Sequence, residues 1–89
     1  MNQNILVIED ETGIADTLVF SLATEGFNAV RAVTGADALS LLADKNTSYS
    51  LIVLDIGLPD ISGFDLIKKI RITSEIPILC LTARAEEID

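Results

Sequence analysis

The chain has 89 residues, 49% of them apolar, which suits a single globular domain and excludes a disordered segment. Fourteen acidic residues against six basic ones give a formal charge of −8, which argues against nucleic-acid or anionic-membrane binding by this segment. With no histidine and one cysteine, the chain excludes an internal disulfide, zinc chemistry and a Ser-His-Asp triad of its own.

The start, Met1-Asn2-Gln3-Asn4, lacks the basic opening of a signal peptide. No apolar stretch approaches the roughly 20 residues of a membrane span, so a cytoplasmic location is expected. Ile5 to Ile8 form a first apolar, β-type run that ends in acid at Glu9, Asp10 and Glu11. Residues 11–25 then follow a helical period. Ile14, Leu18 and Leu22 share a face that Ala15 and Val19 widen. Asp10 is placed to cap this helix and Gly26 to end it as a C′ glycine. Phe27 to Val33 alternates weakly, as a less buried outer strand does. Thr34 opens the next helix with Asp37 three residues on, close to a capping box, and Ala38, Leu41 and Leu42 form its apolar face.

After a polar turn over 44–50 comes Leu51-Ile52-Val53-Leu54, an unbroken run suited to a strand covered on both faces. It stops at Asp55. Gly57, Pro59 and Ser62-Gly63 cannot continue a strand, so Asp55 is expected at the carboxyl end of the central strand, where open α/β sheets bind their ligands. A carboxylate there also suits the simpler task of capping the following turn. Ser62 and Asp65 resemble a second capping box, with Phe64, Leu66, Ile67 and Ile70 as the buried face and Lys68, Lys69 and Arg71 near the helix end. Pro77 opens the last apolar run, Ile78 to Leu81, which ends at Thr82. Cys80 within it is expected to be a buried, reduced thiol. Ala85, Glu86 and Glu87 suit the start of a further helix.

The order is β-α-β-α-β-α-β with short connections. Right-handed crossovers make this a parallel sheet with helices on both faces. Glu9, Asp10, Asp55 and Thr82 then finish at one edge. Three crowded carboxylates repel one another, and a hard divalent cation such as Mg²⁺ relieves that repulsion. The cation also bridges a phosphoryl group, and a carboxylate beside it can act as nucleophile. A Thr82 hydroxyl suits a phosphoryl oxygen, and equally well a strand-end or cap role. No glycine-rich nucleotide loop is present. A phosphohydrolase of the haloacid dehalogenase type would want a second aspartate two residues after the nucleophile, where this chain has Gly57.

The pieces I-L-V-I-E-D-E (5–11), L-I-V-L-D-I-G-L-P-D-I-S-G-F-D (51–65) and L-T-A-R (81–84) together resemble the receiver domain of two-component response regulators. The loop after Asp55 resembles the receivers of OmpR/PhoB-type transcription factors with a winged-helix DNA-binding domain. The resemblance implies a flavodoxin-like α/β three-layer sandwich with strand order 2-1-3-4 in this chain. It implies that Asp55 accepts a phosphoryl group from a histidine kinase. Asp10 and Asp55 would bind Mg²⁺ directly, with Glu9 acting through water and the Gly57 carbonyl as a further ligand. Thr82 would be the switch hydroxyl, with Ala83 leaving room beside it. Such a domain is a signal relay and not primarily an enzyme. Against the family pattern, residues 1–89 read as the N-terminal portion of a receiver, ending before a complete fourth helix and before the fifth strand with its lysine. An output DNA-binding domain is expected outside the chain, and the Ile78–Leu81 strand is expected to be an edge prone to self-association. The rival expectation is a pseudo-receiver, the same fold used only for protein interaction.

Overall fold

The computed structural model describes residues 3–81. Seven elements alternate along it: strand β1 (Asn4–Ile8), helix α1 (Thr12–Thr24), β2 (Asn28–Ala32), α2 (Gly35–Ala43), β3 (Leu51–Asp55), α3 (Gly63–Thr73) and β4 (Ile78–Leu81). All strand pairs are parallel, in the order β2-β1-β3-β4. This is the expected order. It is the order the family resemblance implied: the chain steps outward from β1 to β2, then returns across β1 to β3 and on to β4.

Alternation along the strands sorts their side chains into two cores. Leu6 and Ile8 of β1 with Ile52 and Leu54 of β3 pack against Ala38 of α2 and Leu66 and Ile70 of α3. Ile5, Val7 and Val53 point the other way and meet Leu18, Val19 and Leu22 of α1. The unbroken apolar runs of β1 and β3 are therefore explained by cover on both faces.

Local signals set the element ends. Thr34 Oγ1 accepts a hydrogen bond from the Asp37 N–H (3.1 Å), and Ser62 Oγ accepts one from the Asp65 N–H (3.1 Å), so both expected caps form. Gly26 takes φ = 92°, the left-handed conformation a C′ residue needs, and ends α1. β2 is a residue shorter at each end than its expected run, and at the first end this is because the Phe27 N–H turns back to the Leu22 carbonyl (3.0 Å).

Three expectations need correction. Asp10 does not cap α1: Glu11 occupies the cap position, without a side-chain bond, and the helix begins at Thr12. Ile14 and Phe64 are 45% and 65% exposed, because each sits one residue, about 100° of helical turn, from the buried residues Ala15 and Gly63. Cys80 is exposed, since β4 is the outermost described strand and no described element covers its side chain. No helix among the described residues is long and apolar enough to cross a membrane.

Candidate functional site

Register carries the acidic residues to one edge. Ile8 pairs with Ala32 on one side and Leu54 on the other, so Glu9 and Asp10 leave β1 beside the point where Asp55 ends β3. One carboxylate oxygen from each of Glu9, Asp10 and Asp55 lies within 4.8 Å of the others. Burial differs steeply across the three: Glu9 is 4% exposed, Asp55 is half-buried and Asp10 faces solvent.

Each residue is held by its surroundings. The Glu9 N–H donates to the Ala32 carbonyl (3.0 Å), extending the β1–β2 ladder by one rung. Glu9 Oε2 accepts the N–H of Glu11 (3.1 Å), and Asp55 Oδ1 accepts the N–H of Gly57 (3.2 Å). The Glu9 carboxyl is pushed above its ordinary value mainly by burial. The Glu11 N–H opposes that shift, whereas the Asp55 side chain and the charges of Asp55 and Asp10 add to it. A cluster in this state favours a cation. Three hard carboxylate oxygens of net negative charge match the ligand preferences of Mg²⁺.

Two residues of the site escaped the sequence reading. Arg31 on β2 donates from Nε to the Glu9 carbonyl (3.0 Å) and from one terminal nitrogen to the Asp10 carbonyl (3.0 Å). Its other terminal nitrogen reaches Thr12 Oγ1 (3.4 Å). Asp60, in the loop after Asp55, accepts the Gly35 N–H on Oδ1 (2.9 Å) and the Ala36 N–H on Oδ2 (3.1 Å), capping α2 from outside. Those bonds, Gly35's first, hold the Asp60 carboxyl below its ordinary value. The bonds of Arg31 and Asp60 to backbone atoms join residues 21 to 25 positions apart, which no local period reveals. The one sequence cue was an arginine set among Ala29, Val30 and Ala32 of β2. Of the expected site residues, the fold brings Glu9, Asp10 and Asp55 together and sets Gly57 beside them. Thr82 and Ala83 lie outside the described residues.

Residues 5–89 match the family model of the response regulator receiver domain. The chain belongs to that family. Receiver domains accept phosphoryl groups, hold Mg²⁺ at an acidic pocket and work with histidine kinases. This receiver is 42% identical over 86 residues to the transcriptional regulatory protein AfsQ1 of Streptomyces coelicolor, and 43% identical over 88 residues to CreB of Escherichia coli. The alignments take in 97% and 98% of the chain but only 37% and 38% of those regulators, so it spans little more than a third of their length. Among solved structures, a CheY-like receiver domain from Methylobacillus flagellatus superposes with a TM-score of 0.88 at 26% identity, covering 100% of this chain and 76% of that one. The response regulator TrrA of Thermotoga maritima, solved in complex with Mg²⁺-BeF, does so with a TM-score of 0.83 at 34% identity, covering 94% and 72%.

Proposed function

We propose that this receiver takes a phosphoryl group onto Asp55 from the phosphohistidine of a sensor histidine kinase, and relays the change to a DNA-binding output region. The observation that carries the reading is the convergence of Glu9, Asp10 and Asp55 within 4.8 Å at the carboxyl edge of the sheet. Asp10, Asp55 and the Gly57 carbonyl would hold Mg²⁺, with Glu9 acting through water. When bound, the cation offsets the charge of the carboxylates and the incoming phosphoryl oxygens. A carboxylate oxygen of Asp55 forms the new bond to phosphorus while the bond from phosphorus to the kinase imidazole breaks. The electron pair leaves with the imidazole nitrogen, which takes up a proton, and an acyl phosphate remains on Asp55. The Gly57 N–H, already bonded to Asp55 Oδ1, keeps the nucleophile oriented. The Thr82 hydroxyl then binds a phosphoryl oxygen, and Ala83 leaves space for it. The relay operates in the cytoplasm, where such kinases present their phosphohistidine.

The test is a Mg²⁺ titration of the chain and of Asp55→Asn followed by amide shifts, then exposure to a small-molecule phosphodonor with mass detection. Saturable shifts at residues 9–10 and 55–57, weakened in the variant, with one phosphoryl gained only by the wild type, are expected. A folded chain that neither binds Mg²⁺ nor gains a phosphoryl group would overturn the reading and leave an interaction module.

A further inference from the structure

We infer that Arg31 is a positioning residue for the cation site, acting by fixing the backbone on both sides of Asp10. The inference deepens the functional reading above and rests on it for the identity of the cation. Asp10 is the exposed member of the acidic trio, and the described hydrogen bonds include none to its side chain. Among the described contacts, the only restraint on where its carboxylate can reach is the Cα–Cβ direction that its main chain sets. The Glu9 carbonyl belongs to the peptide plane before the Asp10 Cα and the Asp10 carbonyl to the plane after it. Arg31 grips both, at 3.0 Å each, from one planar guanidinium. Since peptide planes and guanidinium are both rigid, this fork restrains φ and ψ of Asp10 together, and with them the Cα–Cβ direction.

The electrostatics argue that the fork, and not the charge alone, explains Arg31. Its third contact is Thr12 Oγ1, in the first turn of α1, where the helix dipole disfavours a cation. A positive charge behind a cation site also weakens cation binding. Both terms oppose an arginine here, whereas two carbonyls in fork geometry favour one over a lysine. The charge and the fork therefore make opposite predictions for the same substitution.

The experiment compares wild type, Arg31→Lys and Arg31→Gln in the full chain, first free of metal and then titrated with Mg²⁺. Lysine keeps the charge and loses the fork; glutamine loses both. In metal-free protein, both variants should leave the amide shifts of β1 and β3 in place while residues 9–12 gain fast motion in ¹⁵N relaxation. Mg²⁺ affinity should then fall by about 10-fold or more in Arg31→Lys, the range typical of groups that orient metal ligands. A fold of unchanged melting temperature with rigid residues 9–12 in both variants would overturn the inference. So would tighter Mg²⁺ binding by Arg31→Gln together with unchanged binding by Arg31→Lys, which is the signature of charge alone. If the wild type binds no Mg²⁺, the functional reading fails at that step, while the relaxation data still decide whether Arg31 orders Asp10.

Discussion

Replacing Glu9 by glutamine removes one charge from the acidic trio while keeping an amide oxygen to accept the Glu11 N–H. Carboxylate oxygens within 4.8 Å of one another repel by ~1 kcal/mol per pair at the dielectric of water and by about 3 kcal/mol at an effective dielectric near 20. Glu9 takes part in two such pairs and is also buried. Its penalty has a ceiling, because the protein can take up a proton instead. From the ordinary carboxyl value of 4.5 to pH 7, that ceiling is roughly 3.4 kcal/mol. Metal-free Glu9→Gln should therefore be more stable than wild type by about 1–3 kcal/mol at pH 7, or roughly 5–15 °C in Tm for a domain of this size. The sign follows from the raised folded-state value. The ionised group costs stability as pH rises through that value, and costs nothing below 4.5, so the gap should close in acid. Thermal unfolding by circular dichroism in EDTA, at pH 7.5 and at pH 4, measures both arms. Added Mg²⁺ should raise the wild-type Tm more than the variant's. A variant no more stable than wild type at pH 7.5 without metal would refute the account of a strained, cation-ready cluster.

Other substitutions test the frame around the site. Asp60→Ala removes the carboxylate from the α2 N-terminus, so it should lower Tm at neutral pH. That loss should shrink as pH falls below 3.8, because the depressed Asp60 value contributes stability only while the group is ionised. Gly63→Ala should cost about 1–3 kcal/mol in urea unfolding, since its Cβ would meet the Ile56 Cα at 2.7 Å and backbone must shift. Leu54→Ala, in the fully buried middle of the sheet, should cost about 2–5 kcal/mol by the same measure.

The central strands were legible because β1 and β3 are apolar without interruption and each ends in acid, a pattern that suits strands covered on both faces, whereas the order 2-1-3-4 came from the family resemblance and not from the patterning. Asp55 was legible for the same reason. The margins of the helices were less so. Periodicity identifies a stripe but not its edges, so Ile14 and Phe64 read as buried although they fall just outside it. Arg31 and Asp60 were missed for a different reason: each acts chiefly on backbone atoms of a distant segment, and backbone partners leave no trace in residue type, so the arginine's place in β2 could mark it as unusual without naming what it holds.

The double grip of Asp60 on the start of α2 has a consequence for communication within the domain. The segment that follows Asp55, Gly57 to Asp60, cannot travel outward without dragging the first turn of α2 along or letting go of two amide protons. Gly35 and Ala36 thereby become remote sentinels of events at Asp55. Their amides sit on an element that contributes no carboxylate to the cluster, so a shift there reports movement of the loop and not the arrival of charge.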